Sequence, residues 1–450
     1  MALDRGAQVL AQVTVARAWG RLVSRSEREH VAEPTDLDGA QGTAVRGARA
    51  PDDRITALDG LRGFAMLLVF LNHAIALPLE PATTRIDAAV RVIAYGAGWT
   101  AIDLFFVLSG FLITGILLDT QGQPRWWPNF IARRALRIFP LYYGALTVLF
   151  VLLPRLVRWS EPQFITLQAN QTWYWTYTVN LLTAFTQGRG TPLGTAHLWS
   201  LSIEEQFYLI WPLFVWACKP RSLLRVIGLI VIGGLAFRLG LVLHDPTNAR
   251  AAYFLTPGRL DGLMIGAALA VVARMPGGLT RIKALAPRVL GAGVLAVVLL
   301  AMLRRGLNNG DPVVAVAAYP VVGVVYGALL VLAVTAPPNS RLVRVLCTDF
   351  LGRWGKYSYA IYVIHLPLLS AIEWKTTFYR HGVALLGGSL LPSVLLLAAI
   401  VMSLSYGFGW LSYHLYERPL LELKRYFPRA SAARAPPVGT KPGTARGHPA

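Results

Sequence analysis

Apolar runs of about 17 to 25 residues, the length that carries a helix across a hydrocarbon core, recur along most of this 450-residue chain. No other feature limits the fold as much. Inside lipid a spanning segment must satisfy its own backbone polar groups, which leaves helices and closed barrels. A barrel would show short alternating segments instead, and none occur. The expected fold class is all-α, a polytopic integral membrane protein. With 55% hydrophobic and 15% charged residues, the chain is too apolar for an ordinary soluble domain.

Ten transmembrane helices are read from the runs, approximately over residues 55–79, 94–118, 138–153, 200–218, 226–243, 253–273, 289–303, 312–335, 355–373 and 387–412. Residues 1–54 read as a polar, disordered cytoplasmic tail, 55–420 as the membrane domain, and 421–450 as a basic Pro-, Ala- and Gly-rich disordered tail. The first 50 residues lack the apolar core of a secretory signal peptide, so the first span must serve as the targeting signal. With both termini placed in the cytoplasm, the inner segments carry 30 Lys and Arg and the outer loops 10. That split follows the positive-inside bias. The formal net charge of +20 therefore reads as a topology signal rather than a nucleic-acid footprint. The expected location is the plasma membrane, crossed many times. Cys218 and Cys347 stand in no metal or redox spacing, and no metal is expected.

The first span, Ile55 to Leu77, carries Arg62 and His73, 11 residues apart. On a regular helix that spacing returns to one face, roughly 16 Å along the axis. Ionisable residues within a membrane helix are costly and are functional candidates by default. The plain alternative is that Arg62 snorkels to an interface and His73 pairs within the bundle. The topology brings further ionisable groups to the same outer level. These are Asp103 in the second span, His197, Glu204 and Glu205 at the start of the fourth, Arg259 and Asp261 in the sixth, and His365 in the ninth. They must pair or line a wet cavity, and a purely structural ion-pair network is one reading.

On the inner side, RWWPNFIARRALRIFPLYY carries Arg133, Arg134 and Arg137, whose spacings of three and four place Arg134 and Arg137, or Arg133 and Arg137, on a shared helix face. It is either a topology anchor or a site for a phosphate-bearing ligand, which guanidinium forks suit. In the long loop 154–199, Trp173, Tyr174, Trp175 and Tyr177 form either an interfacial aromatic belt or a stacking surface for a ring-bearing acceptor. An anionic carrier below and a histidine base above are the parts needed for acyl transfer from a phosphate-rich thioester to a hydroxyl. The chain has no Gly-x-Ser-x-Gly elbow, zinc-protease motif or phosphate loop.

Several stretches in order resemble the membrane acyltransferase 3 family, which includes bacterial O-acyltransferases of surface polysaccharides and of macrolide-type natural products. LDGLRGFAMLLVFLNH is similar to the family's Arg/Lys–ten residues–His motif, with Arg62 and His73 in those places. GWTAIDLFFVLSGFLIT, ARRALRIFPLYY and HLWSLSIEEQFYLIWP resemble further blocks and match Asp103, Ser109, Arg134, Arg137, Ser202, Glu204 and Gln206. RLDGLMIGA, SYAIYVIHLP and SYHLYERPL match Arg259, Tyr359, His365 and Glu417.

The resemblance implies a ten-helix core, an acyl-CoA donor (acetyl-CoA above all) as co-substrate with no bound cofactor, and a hydroxyl-bearing sugar or natural product as acceptor. On this reading His73 is the general base, Glu204 or Asp103 orients it, and Arg62 contacts the donor. Arg134 and Arg137 hold the donor phosphates, and Glu205, Arg259, His365 and Tyr359 contact the acceptor. The tails are too short for the fused SGNH-type hydrolase domain of two-domain members, so a single-domain enzyme is expected. Two rivals use the same residues: a proton-coupled transporter and a non-catalytic partner in an envelope complex.

Overall fold

The computed structural model describes residues 51–156, 162–192, 194–376 and 388–428, and no strand occurs among them. Its long helices are α1 (Pro51–Phe70), α2 (Arg85–Trp99), α3 (Ala101–Thr120), α4 (Trp126–Thr147), α5 (Trp199–Ala217) and α6 (Pro220–His244). After these come α7 (Leu260–Val272), α8 (Ala286–Leu303), α9 (Pro312–Thr335), α10 (Asp349–Thr376) and α11 (Leu391–Ser412). Among the described residues, seven helices are long and apolar enough to cross a membrane, or eight if the pair Pro246–Phe254 and Thr256–Val272, bent by 83°, is one span. The other two expected spans, α5 and α10, are helical but more polar, because they carry Glu204, Glu205, Lys356 and His365.

Three expectations change. Residues 85–93, read as part of a loop, belong to α2, and Thr100 divides one continuous apolar stretch, Arg85–Thr120. The tail expected from residue 421 is helical through Tyr426. Arg133 fastens it to α4 by donating to the carbonyls of Lys424 at 3.0 Å and Phe427 at 2.9 Å. The rest of that tail and residues 1–50 lie outside the described residues, and the boundary at residue 54 falls inside α1.

The bundle has a dense centre and a lipid-facing rim. At the rim, α6 and α8 leave Leu229, Ile232, Leu295 and Leu299 exposed, as helices bathed in hydrocarbon should. At the centre, α1 lies against α10 and α3 against α7, with backbones in contact. Helices in lipid associate by such close packing, and small residues permit it. A Cβ on Gly110 of α3 would collide with the Leu263 carbonyl of α7. Likewise one on Gly355 of α10 would strike the Asp59 carbonyl of α1. These two seams fix the azimuths of the helices that carry Arg62 and His365.

Candidate active site

Five helices, α1, α3, α4, α5 and α10, line a common cavity that is partly open to its surroundings. Arg62, Arg134, Arg137, Glu204, Glu205 and Tyr359 line it, and the motifs in the chain marked every one of them. Ile102, Phe105, Phe106, Leu112 and Ile113 supply an apolar wall. Arg134 lays its guanidinium 4.4 Å from the Tyr208 ring centroid, and Glu204 sits beside Arg134 and the hydroxyls of Ser109 and Tyr208, themselves 2.6 Å apart. Arg62 pairs with Asp59 at 2.9 Å. Among the described residues neither Arg134 nor Arg137 forms an ion pair. The cavity therefore presents two guanidinium groups that no carboxylate of the described residues engages in an ion pair. It suits a long, partly apolar, anionic ligand.

Tyr362 and Ser200 also line the cavity, with hydroxyls 2.6 Å apart, and Tyr362 donates to the His197 carbonyl at 2.9 Å. His197 and His365, both in ring contact with Tyr362, form part of a cluster of three imidazoles. His73 stacks on His365 at 5.1 Å between ring centroids, and His197 meets His365 edge-on at 4.9 Å. His73 sits in a π-helical turn, Leu71–Ala76, where the Leu77 N–H reaches the Asn72 carbonyl at 3.0 Å. Such turns recur at functional sites. This one breaks the regular register assumed between Arg62 and His73, and Gly98 of α2 lets the two backbones meet there: a Cβ would come 2.5 Å from that of Asn72.

The hydrogen-bond chain through these rings has one sense. The Tyr362 carbonyl only accepts, so His365 Nδ1, 2.7 Å away, must carry a proton. In a neutral ring His365 Nε2 is then an acceptor, and His73 Nδ1, 2.9 Å from it, is the donor. A neutral His73 thereby keeps its proton on Nδ1 and a free lone pair on Nε2. The arrangement is that of a base oriented by a second group, with an imidazole in the orienting place.

Two expected partners of His73 are elsewhere. Among the described residues no hydrogen bond joins it to Asp103 or Glu204. Asp103 accepts from Arg259 at 3.0 Å, and both side chains are 1% exposed. Tyr319 and Tyr253 wrap the Arg259 guanidinium at 4.4 and 4.7 Å. Asp261 pairs likewise with Arg238 at 2.5 Å. Neither pair lines the cavity, so Asp103 is not placed to orient the base, nor Arg259 to meet an acceptor there. The reason is tertiary: the α3–α7 seam brings the two charges together before either can reach the cavity. His365, expected against the acceptor, is instead the neighbour of His73. Tyr359 does line the cavity, while its hydroxyl donates to the Ile138 carbonyl at 2.8 Å.

Sequence reasoning left out Tyr208, Ser200 and Tyr362, whose hydroxyls carry no signal of their own in an apolar run. It noted His197 but gave it no role, although among the described residues neither of its buried ring nitrogens has a hydrogen-bond partner. The aromatic stretch divides, with Trp173 and Trp175 half-buried and its two tyrosines packed inward. Tyr174 and Tyr177 are buried, Tyr142 stacks on Tyr177 at 4.1 Å and Tyr143 on Trp175 at 6.0 Å, pinning the loop onto α4.

The chain is similar to the peptidoglycan O-acetyltransferase OatA of Listeria monocytogenes, 29% identical over 335 residues that are 70% of this chain and 49% of the relative. It is also similar to the O-acetyltransferase OatA of Staphylococcus aureus, 27% identical over 377 residues, 79% of this chain and 56% of the relative. The chain thus spans about half the length of the curated relatives it matches. No solved structure matches it. The profile of the family described as "Acyltransferase domain" covers residues 55–425, the whole of the helical bundle around the cavity and the imidazole cluster. A match of that extent makes this multi-pass membrane protein a member of the acyltransferase 3 family.

Proposed function

We propose that the chain is an O-acetyltransferase that moves the acetyl group of acetyl-CoA to a hydroxyl of an envelope glycan, with His73 as general base. The observation that carries this reading is the bond from His73 Nδ1 to His365 Nε2, which leaves His73 Nε2 as an available base, in a pair of imidazoles tied through the Tyr362 carbonyl to a residue of the arginine-lined cavity. The acceptor oxygen bonds to the thioester carbonyl carbon as its proton passes to His73 Nε2. The carbon–sulfur bond then breaks, and the departing thiolate takes that proton to leave free CoA. Arg134 and Arg137 hold the donor's phosphates, Arg62 its arm, and Glu204 and Glu205 the polar groups between them.

The positive-inside split of 30 to 10 supports ten spans with both termini and the arginine end of the cavity in the cytoplasm, where acyl-CoA is made. The names of the relatives favour a glycan over a natural-product acceptor. Proton-coupled transport is disfavoured because four of the buried ionisable groups, Asp103, Arg259, Arg238 and Asp261, are consumed in mutual ion pairs. For the purified protein in proteoliposomes, label should pass from acetyl-CoA to a soluble glycan acceptor. His73→Ala should abolish transfer, a loss of about 100- to 10,000-fold for a missing general base. His365→Phe, which keeps the ring but not the acceptor nitrogen, should lose most of the rate with little change in KM for acetyl-CoA. Label that stays on CoA, or near-normal transfer by His73→Ala, overturns the reading.

A further inference from the structure

A second, smaller hollow, partly open to its surroundings, lies beside the main cavity where the end of α3, the turn after it and the start of α4 meet Pro428. Ile113 of α3 lines the cavity and Ile116, one turn on, lines the hollow. Arg134 alone lines both, among the described residues. The hollow combines a half-buried indole, Trp126, with a buried ring, Phe130, and two amides, Gln123 and Asn129. Asn129 Nδ2 is committed to the Pro428 carbonyl at 3.0 Å, which turns its Oδ1 into an acceptor for an incoming N–H. Arg133 donates through Nη1 to the carbonyls of the C-terminal turn, and Arg134 has a buried Nε without a hydrogen-bond partner among the described residues.

We propose that this hollow seats the adenine-bearing head of the same carrier whose thioester arm fills the main cavity. The purine stacks on Trp126, its exocyclic amine meets the side-chain oxygen of Asn129, and the pyrophosphate passes Arg134 at the junction. Three features argue for a nucleotide: an aromatic face, an amide acceptor and a guanidinium at the neck. Flat π-faces on aromatic side chains are how single bases are held without regard to sequence context. The inference rests on acetyl-CoA being the donor.

The test compares two donors in proteoliposomes, acetyl-CoA and S-acetyl-4′-phosphopantetheine, which lacks the nucleotide head. The quantity read is the ratio of their kcat/KM values. The wild-type protein should prefer acetyl-CoA, and Trp126→Ala should cut that preference about tenfold, equivalent to about 1.4 kcal/mol. Trp126→Phe should restore most of it, and Asn129→Ala should cut it by less. A ratio unchanged by both Trp126→Ala and Asn129→Ala overturns the proposal. So does an equal loss with both donors, which is the result if an anionic lipid head occupies the hollow. A wild-type protein inert with both donors rejects the acetyl-CoA reading itself and this inference with it.

Discussion

Two charged regions lie within one helix length of each other and obey different rules. Around α3, α6 and α7, Asp103, Arg259, Arg238 and Asp261 are buried and matched one to one, with tyrosine faces filling the remaining space. Around α1, α4 and α5, only Arg62 of the three guanidinium groups that line the cavity makes an ion pair among the described residues, and space stays open between them. In lipid an ion must be paired or hydrated. The first region solves that problem within the chain, so it is architecture. The second leaves it to a ligand. The lesson is that an ionisable residue in a membrane helix points to function only when the fold leaves it short of partners.

The largest effect expected from breaking this contrast is in the matched region. Arg259→Met strands Asp103 among aromatic rings, and removing one member of a buried pair costs about 3–5 kcal/mol. Folded yield and the thermal midpoint in detergent should both fall sharply. Asp103→Leu combined with Arg259→Met should recover much of the loss, because no charge is then left unpaired. A single variant as stable as the wild type would mean that the pair is not structural.

The counterpart in the open region should behave the other way. Arg134→Gln removes no ion partner, so its thermal midpoint should stay near that of the wild type. Its KM for acetyl-CoA should rise about tenfold or more, since a hydrogen bond from a charged donor is worth about 1.5–3 kcal/mol. Arg137→Gln should do the same to a smaller degree. A melt as severe as that of Arg259→Met would erase the distinction between the two regions.

The helical class, most of the apolar spans and the identities of the cavity's charged residues were legible in the sequence, but Glu204 and Glu205 read as an outer level apart from Arg134 and Arg137, with which they share one cavity. Length and apolarity report on crossing a bilayer, and Arg62, Arg134, Glu204 and Tyr359 fall in motif blocks of recognisable spacing. The pairings were not legible. His73 meets His365 across 292 positions, and no local rule reports a contact between helices so far apart in sequence. The π-helical turn after Phe70 is equally silent, because a widened hydrogen bond leaves the apolar pattern intact. Asp103 and Arg259 show the cost: each looked like a site residue by depth, and only the close α3–α7 seam, made possible by Gly110, reveals that each is the other's partner.

The smallest effect belongs to a pair that is matched but outside the spans. Asp311 accepts from Arg304 at 2.6 Å and caps α9 through the amides of Val313 at 2.9 Å and Val314 at 3.1 Å. Burial alone would push its carboxyl up, but Arg304 and those amides outweigh it and hold it below the usual carboxylate range. A depressed folded-state value means that the stabilisation is present above the unfolded carboxylate value, about 3.9, and fades as pH falls through the lower folded one. Water already reaches this pair, so most of its worth is the cap. Asp311→Ala should cost about 1 kcal/mol near neutral pH, against several for Arg259→Met. The gap in thermal midpoint between the variant and the wild type should narrow as pH falls below the ordinary carboxylate value, about 3.9. A gap that persists in acid would show that the carboxylate charge contributes nothing there, and that matched pairs inside and outside the bilayer do not differ in the way the two buried pairs suggest.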